Sequence, residues 1–227
     1  MTTTKRINDG KIRDMDIRVK FIERNKKFFG NENFEFANEY GINSTNIVDL
    51  ALFDFKNKLF YGFEIKSEQD NVRKLYKQLN AYITFFNIVY VITHTKLTEK
   101  VLEIIDSNKQ FDKVGVIEVS STLEFKEIRR ARKYSPWYPL FIQNLDLDEL
   151  RRLALKYDVP VEGSKKVLLG KLRRYVQESD IYEGLNDKIN KYYKRTCSKC
   201  GSHLYYNKST RSGVVHVCYN CGASSYN

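Results

Sequence analysis

The spacing of apolar residues changes several times along the first 130 residues, between the two-residue period of strands and the longer period of helices. One helical pattern comes first, three strand-like runs follow in succession, and helices and strands alternate after them. In order, the predicted elements are a helix over residues 12–28, strands over 34–39, 47–53 and 59–66, a helix over 71–86, a strand over 88–93, a helix over 98–108 and a strand over 114–119. This order predicts an α/β fold with a mixed sheet.

A second, wholly helical pattern follows a basic and proline-interrupted linker at residues 129–139. Apolar residues at helical spacing predict a helix over 145–157, with Asp146 placed to cap its first turn. A turn then leads into a second helix over 165–177, for which Ser164 is the predicted N-cap. The buried face of that helix is predicted to consist of Leu168, Leu169, Leu172 and Val176. The linker is therefore the predicted boundary between two structural units.

The net charge of the chain indicates its class of partner rather than its fold. The 227 residues carry a formal charge of +11, and excess positive charge attracts polyanions and releases their counterions on binding. The segment before Ser135 has 24 basic and 19 acidic residues and a net charge of +5. The shorter segment after it has 15 basic and 9 acidic residues and a net charge of +6. Nucleic acid is therefore the first candidate partner.

No feature of the sequence predicts a membrane location. No apolar run reaches the roughly 18 residues that a membrane-spanning helix needs. The polar first residues also lack the apolar middle of a secretory signal. We therefore expect a cytoplasmic protein with no membrane partner.

All four cysteines fall within the last 31 residues, as two CxxC pairs that are each followed by a glycine. The pairs are Cys197 with Cys200 and Cys218 with Cys221. This spacing suits one tetrahedral zinc ion, because a CxxC knuckle directs both of its sulfurs at the same ion. Two disulfides are the alternative, which the cytosolic context and the clustering disfavour. A closed four-cysteine site of this kind is structural rather than catalytic.

The residues between the two cysteine pairs predict a zinc ribbon within residues 188–227. Apolar runs indicate strands at 203–206 and 214–217, joined by a turn at 208–213. His203 and His216 are interpreted as ordinary strand residues, because the cysteines already complete the tetrahedron. This segment has seven Lys or Arg, no Asp or Glu, and tyrosines between them, which suits contact with phosphates and stacking on bases. A ribbon that only supports the fold or binds protein is the alternative.

Polar residues interrupt two of the predicted strands where an apolar residue would be expected. Asp49 lies in the apolar run of the second strand, and Glu64 and Lys66 lie two residues apart in the third. Because side chains alternate between the faces of a strand, Glu64 and Lys66 point the same way. Two carboxylates from neighbouring strands suit a hard divalent cation, and a nearby ammonium can stabilise charge that develops on a phosphate. The three residues therefore outline a phosphodiesterase site.

These residues also carry a resemblance to a known family. Val48-Asp49 followed by Glu64-Ile65-Lys66 resembles the signature of the PD-(D/E)XK nuclease superfamily, with Val48 where the signature has a proline. The order of predicted elements looks like the αβββαβ core of that superfamily. The run 62–82 followed by 88–92 looks much like the small sce7726-type nuclease family. The resemblance spans about residues 12–95, and it implies a restriction-endonuclease-like fold, magnesium (or manganese) dependence and DNA as the substrate.

The same resemblance implies roles for individual residues. By this matching, Asp49 and Glu64 would be the metal ligands and Lys66 would be the catalytic lysine. Gln78 and Tyr82 match the Gln-x-x-x-Tyr motif of the RecB-like branch and would face the site from a helix. Glu39 ends the strand before Asp49, at the place where some members carry an additional acid.

The two predicted helices after the linker are similar to the SAP family of DNA-binding modules. The turn Tyr157-Asp-Val-Pro-Val-Glu-Gly-Ser-Lys165 is similar to the Leu-x-Val-x-Gly-x-Lys turn of that family, with an extra residue or two before the glycine. The resemblance covers residues 145–177 and implies binding to the DNA backbone. The implied phosphate contacts are Lys165, Lys166, Lys171, Arg173 and Arg174. A plain packing element is the alternative reading of these helices.

Together these patterns predict a nuclease domain at residues 1–135, a small helical SAP-like module at 140–180 and a zinc ribbon at 188–227. The predicted function is a metal-dependent DNA endonuclease whose C-terminal modules hold duplex or branched DNA. A non-catalytic DNA-binding adaptor and a nuclease acting on RNA are the two alternatives. The sequence leaves open whether the protein forms a homodimer, which a single-site enzyme would need in order to cut both strands.

Overall fold

A six-stranded sheet occupies the first half of the chain. The computed structural model describes residues 11–25, 34–42, 45–136, 138–192, 197–201, 205–210, 213–218 and 221–226. The strands of this sheet are β1 (Phe34–Gly41), β2 (Ile47–Asp54), β3 (Leu59–Lys66), β4 (Ile88–His94), β5 (Gly115–Val119) and β6 (Phe125–Arg129). The α-helices of the described residues are α1 (Asp14–Arg24), α2 (Leu75–Tyr82), α3 (Thr98–Asp106), α4 (Leu147–Lys156), α5 (Lys165–Leu172) and α6 (Glu178–Tyr192). Short 3-10 helices span Thr95–Leu97, Lys109–Phe111 and Tyr138–Asn144.

The strands lie in the sheet in the order in which they occur in the chain. The pairs β1–β2, β2–β3 and β5–β6 are antiparallel, whereas β3–β4 and β4–β5 are parallel. Helix α2 connects β3 to β4, and α3 connects β4 to β5, as parallel neighbours require. The predicted mixed α/β fold is therefore confirmed.

The two faces of the sheet are buried in two separate hydrophobic clusters. Alternate residues of β2 divide between them, with Leu50 and Leu52 on one side and Ala51 and Phe53 on the other. Helix α1 covers the first side through Ile17, Phe21 and Ile22. Helices α2 and α3, together with the helices that follow the linker, cover the second side.

The helical region after the linker shares its core with the sheet. The Phe60 ring in β3 lies 5.5 Å from that of Phe141 and 5.3 Å from that of Tyr182, measured between ring centroids. Leu150 in α4 and Leu168 in α5 belong to the same continuous cluster. The domain boundaries near residues 135 and 140 stay a prediction, but the hydrophobic core does not end there.

The helices of this region are shorter and more numerous than the sequence predicted. The Asp146 carboxylate accepts the Glu149 N–H at 2.9 Å and caps α4 as expected. Ser164 occupies the N-cap position of α5, but its side chain makes no capping hydrogen bond there. Helix α6 was not predicted, and it contains Gly184. That glycine allows close packing on α4, because an added Cβ would lie 2.9 Å from the Glu149 side chain.

Strand β6 was also missed, and α2 begins later than predicted. The charged sequence of β6 is typical of an exposed edge strand, which has no clear alternation to reveal it. Before α2, the Asp70 carboxylate accepts the Ser67 N–H at 2.7 Å, and the Asn71 side chain accepts the Arg73 N–H at 3.2 Å. These local bonds hold residues 67–73 in turns rather than in a helix.

The C-terminal segment forms a separate three-stranded sheet. Its strands are β7 (Tyr205–Thr210), β8 (Gly213–Cys218) and β9 (Ser224–Tyr226), all antiparallel. The predicted turn at 208–213 is wrong in its extent, because Lys208 pairs with Val215 inside the ladder. His203 lies outside the described residues. No helix of the described part of the chain is both long and apolar enough to span a membrane.

Candidate active site and metal centre

Asp49 lies where β2 and β3 separate. The pairing of these strands runs from Asp54–Leu59 to Leu50–Phe63, and β3 then continues along β4. The Asp49 Oδ2 accepts the backbone N–H of Ile65 at 2.7 Å. A side-chain carboxylate thus bridges the two strands at this point and is held in a fixed orientation.

Glu64 is the most enclosed carboxylate of the site, with 1% of its surface exposed. Its Oε1 accepts from Lys66 Nζ at 2.6 Å and from Gln78 Nε2 at 2.5 Å. Its Oε2 accepts from the Tyr82 hydroxyl at 2.5 Å. The Gln78 Oε1 also lies 3.2 Å from Lys66 Nζ, so the glutamine bridges the acid and the lysine.

Helix α2 supplies both Gln78 and Tyr82 because residues four apart lie on one face of a helix. The Tyr82 hydroxyl also lies 2.8 Å from the carbonyl oxygen of Ile47. Its single hydrogen is therefore shared between this oxygen and Glu64 Oε2. Burial, and then the charge of Glu64, raise the pKa of Tyr82. Tyr82 therefore stays protonated and acts as a hydrogen-bond donor.

Glu39 lies near the same site, on the strand that pairs with β2. It lies in β1 between the pairs Asn38–Leu50 and Tyr40–Val48, and its φ of 53° is in the left-handed region that non-glycine residues seldom adopt. Its Oε1 lies 3.9 Å from Arg18 Nη1. Backbone strain of this kind is often found at functional sites.

Two residues of α1 belong to the site and were missed in the sequence. Arg18 is 2% exposed, and its Nη2 lies 2.8 Å from Asp14 Oδ2 and 3.7 Å from Asp49 Oδ1. The signal was present, because Arg18 falls on the apolar stripe formed by Ile17 and Phe21, and Asp14 lies one turn before it. We call the set formed by Asp14, Glu39, Asp49 and Glu64 with Arg18 and Lys66 the acidic cluster.

Crowding of carboxylates changes their titration. Burial and then the charge of Glu64 raise the pKa of Asp49 to about 7, although Arg18 and the Ile65 N–H act in the opposite direction. Burial likewise raises the pKa of Asp14 to about 6, against the effect of Arg18 and with a contribution from Asp49. The cluster therefore holds closely spaced negative charges that a further cation would stabilise.

The acidic cluster has the donor types that suit a hard divalent cation. A carboxylate oxygen has two acceptor positions, and Glu64 Oε2 uses one of them for Tyr82. Asp49 Oδ1 is turned away from Ile65 and faces Arg18. Magnesium is commonly held by one or two carboxylates, with waters and phosphate oxygens completing its shell. Asp49 and Glu64 fit this requirement.

The four cysteines form a much tighter group. Their Sγ atoms all lie within 4.8 Å of one another, and within the described ranges no other set of three or more Cys, His, Asp or Glu is so compact. The Sγ atoms of Cys197 and Cys221 lie 3.5 Å apart, and those of Cys200 and Cys218 lie 3.6 Å apart. These are too long for a disulfide and close to the roughly 3.8 Å between sulfurs around tetrahedral zinc. The cysteines could therefore hold a structural zinc ion.

A glycine turn closes each half of the cysteine site. Gly201 and Gly222 have φ values of 69° and 70°, which other residues seldom adopt. Their N–H groups donate to the carbonyl oxygens of Cys197 and Cys218 at 2.8 and 2.9 Å. The glycine after each CxxC pair therefore allows a turn that a residue with a side chain would strain.

The lysines and arginines of the helical region are not equivalent. Lys165, Lys166 and Arg173 line a surface cleft of about 550 Å³ together with Leu169, Gly170 and Gln143, the last from the 3-10 helix Tyr138–Asn144. We call this the basic cleft. As far as the structure describes the chain, no carboxylate pairs with these three cations.

The other two cations predicted to contact phosphate lie elsewhere. Lys171 Nζ is 3.2 Å from the carbonyl oxygen of Pro160 and 3.4 Å from that of Glu162, so it holds the turn before α5. Arg174 is exposed but does not line the basic cleft. Three of the five predicted contacts are thus brought together and two are not.

Comparisons with known proteins give one family and one distant structure. A sequence model of the family described as "Bacteriophage P4 protein cII" matches residues 8–216. No curated protein matches the chain significantly. A similar solved structure is the SPO1766 protein of unknown function from Silicibacter pomeroyi, which is 14% identical. The match covers 64% of this chain and 92% of that one, with a TM-score of 0.42.

Proposed function

The chain belongs to the bacteriophage P4 protein cII family, and we propose that it acts as a metal-dependent nuclease on DNA. The observation that carries the proposal is the way in which Glu64 is held. Lys66, Gln78 and Tyr82 all donate to its carboxylate, while Asp49 approaches from the neighbouring strand. Four of the six catalytic residues proposed from the sequence thus make one hydrogen-bonded unit, and Asp49 adjoins it.

Asp49 and Glu64 would be the ligands of a catalytic Mg²⁺ or Mn²⁺. When bound, such an ion would supply polarisation of the phosphate and a water of lowered pKa. The chain's own contribution is to hold both ligands in place before the substrate arrives. The Ile65 N–H fixes Asp49, and the side chains of Gln78 and Tyr82 fix Glu64.

Lys66 would act on the phosphate rather than on the protein alone. Its ammonium group has three hydrogens, and it donates to Glu64 Oε1 and Gln78 Oε1. A hydrogen directed at a phosphate oxygen would stabilise the negative charge that grows there in the transition state. Gln78, which contacts both Lys66 and Glu64, would keep the ammonium beside the acid.

The basic cleft and the ribbon would hold the nucleic acid. No carboxylate of the described structure forms a salt bridge with Lys165, Lys166 or Arg173, so their charge is available to a phosphate. Ribbon residues 188–227 add seven basic residues and no acid to this half of the chain. A structural zinc ion on the four cysteines would keep the ribbon folded.

The test is cleavage of a panel of supercoiled, linear, flapped, four-way and single-stranded DNA, and a matched RNA, with Mg²⁺, with Mn²⁺ and with neither. We expect metal-dependent cutting of at least one DNA substrate and loss of that cutting in the Asp49→Ala variant. Binding without any cutting would support the alternative of a DNA-binding adaptor. Cutting of RNA alone would support the alternative of an RNA nuclease.

The family name narrows the choice of the first substrates. Because the family is described by a bacteriophage protein, phage and mobile-element DNA are the first to include in the panel. Branched and nicked forms of these molecules arise when they replicate. A preference for one of them would identify the architecture that the basic cleft and the ribbon hold.

A further inference from the structure

Arg18 contacts three of the acidic cluster's four carboxylates. Its guanidinium lies 2.8 Å from Asp14, 3.7 Å from Asp49 and 3.9 Å from Glu39, which come from α1, β2 and β1. The Arg18 side chain is 2% exposed, whereas the three carboxylates that it faces are partly exposed. A buried arginine in this position is unlike the exposed cations of the chain that pair with one acid.

We infer that Arg18 is the resident counter-ion of the acidic cluster and that its charge lowers the affinity of the cluster for a divalent metal. The inference rests on the metal site of the proposed function. Arg18 would be a positioning residue that faces Asp49 on the side where that carboxylate is open. It would neither bind the metal nor touch the substrate.

The formal charges show why the effect should be large. The four carboxylates carry −4, and Arg18 with Lys66 carries +2, so the cluster has a net charge of −2. One divalent ion would balance that charge. Without Arg18 the net charge would be −3, and a metal held by Asp49 would no longer be repelled by the guanidinium.

Substitution of Asp14, which neighbours Arg18, changes the net charge of the acidic cluster in the opposite direction to substitution of Arg18. The net charge of the cluster is −3 in Arg18→Met, −1 in Asp14→Asn and again −2 in the double variant. We expect Arg18→Met to bind Mn²⁺ at least about tenfold more tightly than the parent, and Asp14→Asn about tenfold more weakly. The double variant should bind within about threefold of the parent. A purely structural role would weaken binding in all three variants.

The experiment is titration of Mn²⁺ into the full-length, zinc-loaded protein at pH 8, followed by the paramagnetic resonance signal of the free ion. Thermal melting of each variant in the absence of manganese checks that it is folded. Arg24→Met is the matched control, because Arg24 lies on the same helix and is exposed, with its guanidinium over the Phe125 ring. Its manganese affinity should equal that of the parent.

The outcomes separate this inference from the proposed function. If the parent and Asp49→Asn bind Mn²⁺ identically, the metal site itself is wrong. If Asp49→Asn loses the site but affinity does not follow the charge series, only the role of Arg18 is wrong. Should Arg18→Met fail to fold, comparison of Asp14→Asn with the double variant still isolates the charge of Arg18. Equal affinities in that pair would overturn the inference.

Discussion

The acidic cluster and the basic cleft differ in how their charges are balanced. In the acidic cluster, Glu64 accepts from three side chains, and Arg18 lies within 4 Å of three carboxylates. In the basic cleft, no carboxylate of the described residues lies within 4 Å of Lys165, Lys166 or Arg173, and Asp146 acts on Lys165 only from a longer distance. The first set is mostly enclosed, whereas the second faces solvent.

This difference suggests a division of work between chemistry and affinity. Charges that are fixed by several contacts lose little orientation freedom when a reaction proceeds, which is what catalysis requires. Charges without partners gain most from a polyanion, because each phosphate contact releases counterions. Changes in the acidic cluster should therefore alter the rate of cutting, and changes in the basic cleft should alter binding.

The largest expected effect comes from removing a proposed metal ligand. Asp49→Ala or Glu64→Ala should reduce the cleavage rate by on the order of 1,000-fold or more, since the metal organises the chemistry. DNA affinity should stay within about twofold of the parent, because it depends on phosphate contacts elsewhere. Cleavage assays and binding titrations on the same DNA check both expectations. Undiminished cutting by both variants would refute the site.

The next effect concerns Lys66. Lys66→Ala should lose turnover by on the order of 100-fold, as expected for a lost electrostatic stabiliser, while manganese binding is retained. Lys66→Arg should recover little activity, because a planar fork does not replace a compact ammonium between Glu64 and Gln78. Single-turnover rates measure the effect, and a parental rate for Lys66→Ala would exclude Lys66 from the chemistry.

A smaller effect is expected from the residues that orient Glu64. Tyr82→Phe removes a donor 2.5 Å from the carboxylate and should lower activity or metal affinity by about 10- to 100-fold. Tyr76→Phe is a matched control on the same helix, because its hydroxyl accepts from the exposed Asn108 side chain instead. If both variants behave alike, the orienting role of Tyr82 is not supported.

The basic cleft should affect salt dependence rather than rate. Replacing Lys165, Lys166 and Arg173 by alanine should reduce the slope of log affinity against log salt by up to about 2.7, or about 0.9 for each lost contact on duplex DNA. Lys171→Ala is the control, because its ammonium holds the turn carbonyls of Pro160 and Glu162. Equal slopes for the two variants would mean that the cleft does not hold DNA.

These measurements need the full chain. A fragment ending near Ser135 would remove the partners of Phe60, whose ring packs on Phe141 and Tyr182. Truncation would expose the part of this sheet face that the helices after the linker cover, and it would destabilise the sheet that carries the site. Point variants on the surface avoid that problem and leave the shared core unchanged.

The smallest expected effect is on the way in which the stability of the fold depends on pH. The pKa of Asp49 is raised to about 7 from an ordinary value near 4, so the folded protein binds a proton more readily than the unfolded chain. Without a divalent metal in the acidic cluster, stability should therefore rise as pH falls from 8 to 6, and Tm should increase by a few degrees. In the Asp49→Asn variant the increase should be smaller. An unchanged pH dependence would show that the pKa of Asp49 is not raised in the folded protein.

The sequence carried enough information for the central strands and for the residues that meet on them. The bounds of β3 agree with the prediction, and Gln78 and Tyr82 contact Glu64 from the predicted helix. Strand and helix periodicity place such residues on known faces, so their convergence can be inferred.

Asp14 and Arg18 could not be recognised as readily. A charged residue on a helix is ordinarily solvated, and only the tertiary packing of α1 on the sheet buries Arg18 beside Asp49. Helix α6 was not predicted either, and its Gly184, a residue of poor helix propensity, packs closely on α4. In both cases contacts between distant segments override the local pattern.

The most direct test of the account is the single-turnover rate of DNA cutting at saturating protein concentration with Mg²⁺. It is compared among the parent, Asp49→Ala and the triple variant of the basic cleft. Saturation removes differences in affinity, so the rate reports chemistry alone. We predict that the cleft variant cuts at the parental rate and that Asp49→Ala does not cut measurably. A parental rate for Asp49→Ala, or a large loss of saturated rate in the cleft variant, would contradict the account.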